Sequence, residues 1–312
     1  MSKNKKKIYK VMLLLLFVGL FFLVTSHLPM VIQNILVSPE PFGADWNNFH
    51  IKIIEAYSKG DFSRFFNYPP LFHLMLVPLV WLNLIPYVKY LQIIFYLSAI
   101  GSSMFLAYKL NGKVASIIMG IILFSSLAFL DRSIQVIPQA IEFIIFPLVI
   151  LLYNKKKFKT VGLLLLILSY SHSMGIVFTL ILFFYTLTVK RNYDKMYLIL
   201  ILAIPSLIWF PFGLNPATEL SSNAKILLDP LSQIFYASPL FFSFLIVSMF
   251  SMFSSNSPNP EKHYLFFLWF LVFTPLAFTL IDRWLQYILV PLIMLFMPYF
   301  LNFLKPLGKV IK

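Results

Sequence analysis

Five short polar stretches interrupt an otherwise apolar chain, and their residue types suit proton transfer and phosphate binding. In the first, Asp45, Asn48, Lys52, Glu55 and Lys59 recur at helical spacing on one face, while Trp46, Phe49, Ile53 and Ala56 fall mostly on the other. That pattern suits a helix lying flat on a membrane surface with aromatic anchors. Asp45 at its start reads as an N-cap or as a carboxylate held at headgroup level. The second stretch, Asn67-Tyr68-Pro69-Pro70-Leu71-Phe72, reads as a turn followed by a helix start, because proline fits the first helical turn and pushes its predecessor extended. The third runs from Asp131-Arg132 to Gln139 and Glu142. Gln135, Gln139 and Glu142 share one face if a helix begins early; the alternative is a salt-bridged, solvated loop with Arg132 reaching toward the interface. The fourth centres on His172 in Ser169-Tyr170-Ser171-His172-Ser173, either a functional imidazole or one that satisfies a neighbouring helix. The fifth, Asp282-Arg283-Trp284, offers a guanidinium able to bind phosphate oxygens in bidentate fashion, or an interfacial anchor.

The elements that must position these groups are apolar helices. Of 312 residues, 60% are hydrophobic and 12% charged, with mean hydropathy +0.86. Soluble domains are about a quarter charged, so polar surface is too scarce to cover a water-soluble particle. The apolar blocks run to roughly 16–22 residues, enough to cross a hydrocarbon core of about 30 Å. Strand-like alternation is absent, which argues against a membrane barrel and for an all-α helix bundle. Spans are expected at about 8–27, 88–109, 113–130, 138–153, 158–172, 173–189, 195–213, 238–256, 262–281 and 284–303. Residues 1–312 read as a single domain, within which 28–87 form the first extracytoplasmic loop with juxtamembrane helices.

The segment 69–86 decides the topology. It is apolar but short and holds four prolines. If it lies at the interface or re-enters, 18 of the 25 lysines and arginines fall on the cytoplasmic side, as the positive-inside bias prefers. That layout has ten spans with both termini cytoplasmic, and it fits a plasma membrane. The net charge of +14 then reads as cytoplasmic loops facing anionic lipid rather than nucleic acid. The chain lacks cysteine, which excludes disulfides and thiolate metal sites. His27, His50, His73, His172 and His263 have no metal-ligand spacing, and neither a P-loop nor a dinucleotide fingerprint occurs.

Taken together, Asp45…Tyr57…Gly60…Tyr68-Pro69-Pro70-Leu71…Pro78 resembles the GT-C superfamily of membrane glycosyltransferases, most of all the polyprenyl-phosphate-mannose-dependent enzymes of glycosyltransferase family 87. The specific part of the likeness covers about residues 43–80. The resemblance implies a hexosyltransferase with a juxtamembrane Pro-Pro helix and with Asp45 as general base. It implies a polyprenyl-phosphate hexose as donor, with mannose first, and a lipid, glycan or protein acceptor. Arg283, with Arg132, would meet the departing lipid phosphate, and Tyr68, Gln139, Glu142 and His172 would complete the substrate-binding set. Asp45 has no second acid beside it, so the resemblance implies neither a metal nor another cofactor, and single displacement with inversion. The alternative reading is a lipid or glycolipid transporter or a non-catalytic membrane subunit; the paired half-length repeats of many transporters are not seen in the sequence.

Overall fold

The computed structural model describes residues 32–33, 35–37, 41, 46–65, 68–187, 238–254, 265–271 and 284–311. Among these the chain forms helices and their connections, with no strand. The spans expected at 8–27 and 195–213, and most of that at 262–281, lie outside the described residues.

After Asp45 the chain opens with one turn of π-helix, Trp46–His50, and continues as α1, Ile51–Ser58. Trp46, His50, Ile53, Ile54 and Tyr57 are buried, while Asn48, Lys52, Glu55 and Lys59 are exposed as the spacing predicts; Phe49, expected on the apolar face, is exposed instead, and Ala56 is half-buried. After Pro69-Pro70, helix α2 spans Leu71–Trp81. Its 11 residues rise about 16 Å, roughly half the thickness of a hydrocarbon core. The two helices run parallel. His50 meets His73, and eight residues further along both helices the Trp81 indole donates to the Ser58 carbonyl at 3.1 Å. Their shared apolar face, built from Trp46, Ile53, Ile54, Tyr57, Phe72, Leu76 and Val77, also covers Val88 and Val136.

A 3-10 turn, Ile85–Tyr90, leads into α3, Leu91–Asn111. Gly112 takes φ +89°, a conformation that side chains with a Cβ avoid, and α4, Lys113–Phe124, returns along α3. The expected continuous helix over 113–130 is broken here. Ser125 and Ser126 end α4, and the Ser126 Oγ accepts from the Phe129 amide at 3.2 Å to start α5, Leu127–Ser133. A serine side chain that can cap a new helix competes with continuation of the old one. The Ser125 Oγ lies 2.6 Å from the Ser238 Oγ, tying this break to the start of α9, Pro239–Ser254.

Helix α6, Pro138–Asn154, packs along α3 and is joined by a tight turn at Lys155–Lys157 to α7, Phe158–Ser171; α8 is Met174–Tyr185 and α10 is Trp284–Ile311. Phe146 and Phe178 stack with centroids 4.0 Å apart, and Trp269 sits edge-on to both. Among the described residues, by length and composition two helical stretches, Ile85–Asn111 and Tyr287–Leu304, can cross a membrane, and six further apolar helices have 10–17 residues.

The connection from α7 to α8 depends on a glycine. A Cβ on Gly175 would stand 2.4 Å from the backbone carbonyl of Leu168, where neither atom can give way easily. Gly175→Ala is therefore expected to destabilise the fold by about 1–3 kcal/mol, as overpacking does elsewhere. Thermal unfolding in detergent measures it, and an unchanged midpoint would show that α8 does not need this close approach.

Candidate functional site

The site is built where three helix ends and the Pro-Pro segment meet. Pro138 occupies the first turn of α6 and holds Ile137 extended, at φ −132° and ψ 159°, as a following proline requires. The helix thus starts at Pro138 and not earlier. Gln135 stands on a non-helical stretch over 134–137 and does not share a helical face with Gln139 and Glu142. Nor is this a solvated loop: residues 133–140 are all buried. Gln139 and Glu142, one turn apart on α6, both face inward.

Glu142 is fully buried, at 0% exposure. A carboxylate removed from water must find hydrogen-bond donors, and both of its oxygens have partners. Oε1 lies 3.0 Å from His172 Nδ1, and the Tyr287 hydroxyl donates to Oε2 at 3.0 Å. The Glu142–His172 contact thus joins a carboxyl oxygen to a ring nitrogen, with the donor set by the tautomer of the imidazole. The Met174 amide donates to the same Nδ1 at 3.4 Å.

His172 is placed there by the break between α7 and α8. It leaves α7 in an extended conformation, φ −153° and ψ 145°, while its own amide still donates to Leu168. Ser171 and Ser173 on either side are buried, and their hydroxyls have no hydrogen-bond partner among the described residues. Tyr287 enters from the first turn of α10, and its ring packs against Phe143 and Phe178.

Tyr68, just before the Pro-Pro pair, brings the α1–α2 unit to this cluster. Its ring centroid is 6.1 Å from that of His172, 5.8 Å from His50 and 5.4 Å from His73. Behind it the two imidazoles of His50 and His73 stack, with Nδ1 of the former 2.9 Å from Nε2 of the latter. Phe72 and Tyr57 close around His73 with edge-on contacts. Burial pushes the His73 pKa down to about 4, against the nearby Pro69 carbonyl, which favours the protonated ring. Burial likewise raises the Tyr57 phenol. The tyrosine hydroxyl has no hydrogen-bond partner among the described residues.

Of the residues singled out by sequence, the structure therefore brings together Tyr68, His172 and Glu142, with Gln139 one turn from Glu142. Asp45 and Arg283 lie outside the described residues; Trp46, the neighbour of Asp45, is buried. Arg132 lies in the last turn of α5, and its side chain is outside what is described. Sequence reasoning missed His50, His73 and Tyr287. A signal for His50 existed: it lies one helical turn after Trp46, on the buried side of the π-turn that leads into α1, where an imidazole needs a partner. Tyr287 carried none, being one aromatic among the 56 Phe, Trp and Tyr residues of the chain. Among the described residues no group of three His, Asp or Glu could hold a metal ion.

The fold and site define an all-helical chain with a buried carboxylate held between an imidazole and a phenol. No family model, curated protein or solved structure matches the chain.

Proposed function

We propose that this chain is a multi-pass membrane hexosyltransferase of GT-C type, with the ten-span layout and cytoplasmic termini of a plasma-membrane protein. It moves a sugar, mannose first, from a polyprenyl phosphate to a lipid, glycan or protein acceptor on the outer face. One observation carries the reading: Tyr68 of the Pro-Pro segment lies against His172, which in turn is held by Glu142 and Tyr287. The segment that bears the resemblance thus adjoins the imidazole at the α7–α8 junction, to whose carboxylate partner on α6 the Tyr287 hydroxyl of α10 also donates. A purely structural Pro-Pro helix needs only apolar neighbours.

In the proposed reaction the acceptor oxygen attacks the anomeric carbon as its proton passes to Asp45, a general-base role. The bond from that carbon to the phosphate oxygen breaks, and the lipid phosphate departs with the electron pair. Arg283, with Arg132, balances its charge. Tyr68 and Gln139 bind the sugar, while Glu142 acts through His172, since both of its oxygens already hold protein partners.

The test supplies radiolabelled polyprenyl-phosphate sugars and native lipid acceptors to membranes containing the protein or its Asp45→Ala variant. Transfer by the native chain and its loss in the variant is the expected result. Transfer that survives Asp45→Ala removes the proposed base, and no transfer from any donor leaves the transporter or non-catalytic reading.

A further inference from the structure

We infer that the lysine-bearing end of the helix bundle is a binding surface for the phosphates of anionic phospholipid headgroups, reached by a lipid-facing stripe along α3. This rests on the multi-pass membrane reading and is independent of the sugar chemistry. The stripe comes first. Tyr90, Ile94, Leu97, Gly101, Phe105 and Tyr108 are all exposed, and their spacing of four, three, four, four and three residues keeps them on one helix face. On a soluble helix the exposed face is polar; here it is apolar between two tyrosines. Those tyrosines stand about 27 Å apart along the axis, close to a hydrocarbon core of about 30 Å. Each has a lysine beside it. Lys89 Nζ lies 5.5 Å from the Tyr90 ring centre, and Lys109 Nζ lies 5.1 Å from that of Tyr108 and 5.2 Å from that of Phe105. Aromatic rings at the interface with ammonium groups beyond them are what the two edges of a bilayer favour.

The two ends of the stripe differ in charge. Val136 and Ile141 belong to the apolar cluster of Val88, Leu91 and Phe95, and further along the Ser102 hydroxyl donates to the Phe143 carbonyl at 3.2 Å. Positions therefore rise together on α3 and α6. The two helices run in the same direction and finish, at Asn111 and Asn154, at the same end of the bundle. The turns that follow them bring together Lys109, Lys113, Lys155, Lys156, Lys157 and Lys159, all exposed. No Asp or Glu lies in α3, α4, α7 or α8, and the one in α6 is Glu142, near the opposite end of that helix. Like charges gathered on one small surface repel each other unless anions meet them. A bilayer containing anionic lipid supplies phosphates in that plane, each lysine there being worth roughly a fivefold gain in binding. An acidic soluble partner would meet the charges too, but would leave in water the apolar stripe that leads up to them.

The experiment uses the full-length protein in nonionic detergent at low salt and follows its unfolding midpoint as phosphatidylglycerol, phosphatidylcholine or inorganic phosphate is added. Phosphatidylglycerol is expected to raise the midpoint by about 2–8 °C at saturation, and salt at about 0.5 M to remove most of that rise. Phosphatidylcholine and inorganic phosphate should leave the midpoint nearly unchanged. Two variants alter one turn each, so that either alone decides if the other does not fold: Lys155→Gln with Lys156→Gln and Lys157→Gln, and Lys109→Gln with Lys113→Gln. Each should raise the phosphatidylglycerol concentration needed for half of the rise at least about tenfold. Lys52→Gln with Lys59→Gln, exposed on α1, should not. An equal rise with phosphatidylcholine or inorganic phosphate overturns the proposal, as does an unmoved half-point in a folded turn variant. Because the chain lacks cysteine, Leu97→Cys gives a single spin-label site in vesicles. Oxygen, which concentrates in hydrocarbon, should reach that label better than a water-soluble nickel chelate. Preference for the chelate sinks the membrane reading itself, whereas a lipid-facing Leu97 with a midpoint indifferent to phosphatidylglycerol sinks the headgroup surface alone.

Discussion

Glu142→Ala is expected to lower the stability of the folded chain by roughly 2–6 kcal/mol. Two buried groups, His172 Nδ1 and the Tyr287 hydroxyl, would each lose a hydrogen-bond partner at about 1–3 kcal/mol. Neither can turn to water, because His172 and Tyr287 are themselves buried. The loss should be cooperative, since the carboxylate joins α6, the α7–α8 junction and α10. Glu142→Gln makes the informative contrast. Its carbonyl oxygen can accept from His172, and its amide can donate to the tyrosine hydroxyl, which both donates and accepts. Its stability should therefore stay within about 1–2 kcal/mol of native. Unfolding of the three proteins in detergent decides the matter. Equal midpoints for Ala and native would mean that the carboxylate is not the tie between these helices.

Acidification should weaken the α1–α2 unit through His73. An unfolded histidine titrates near 6.5, whereas the folded ring is pushed down to about 4 by burial. Between those values the unfolded chain binds more protons than the folded one, so stability falls as pH falls. The contribution is complete above about pH 6.5 and lost progressively toward pH 4, reaching about 3 kcal/mol for a shift of this size. Among the described residues the groups facing His73 are His50, 2.9 Å away, and the rings of Tyr57, Tyr68 and Phe72. None of them is a carboxylate that would favour the charged ring. Melting in detergent at pH 7.5, 6 and 5 should show a midpoint that drops with pH in the native protein and much less in His73→Phe. A native midpoint indifferent to pH over that range would mean that His73 is not held neutral by its surroundings. Because Tyr68 lies against both His73 and His172, transfer assays belong above pH 6.5, where this pair stays intact.

Much of the local structure could be read directly from residue order. The Pro-Pro helix begins where proline geometry puts it, with Leu71 the first helical residue. Pro138 starts α6 for the same reason, and that proline also defeats the expectation of an earlier start that would have aligned Gln135. The polar face after Trp46 is exposed as read, whereas Phe49 of the expected apolar face is exposed too. The break at Ser125-Ser126 was missed because apolar residues continue on both sides, so the hydropathy pattern has no gap there. A side-chain cap, which acts through one hydrogen bond, decided it.

The chain's own order thus determined an all-helical architecture, most helix starts, and the short list of polar residues from which a site could be made. Each of these follows from local rules: backbone geometry at proline and glycine, hydrophobic periodicity, and the rarity of charge in apolar sequence. Only the tertiary structure decided which of those residues meet. His172 finds Glu142 across 30 residues, and Tyr287 finds it across 145. The imidazole pair of His50 and His73 closes across 23. Helices that are apolar on nearly every side can pack in many ways, and their periodicity names no partner. What selects one packing is the need of a few buried polar groups to satisfy each other, and that need becomes visible only once the helices are side by side.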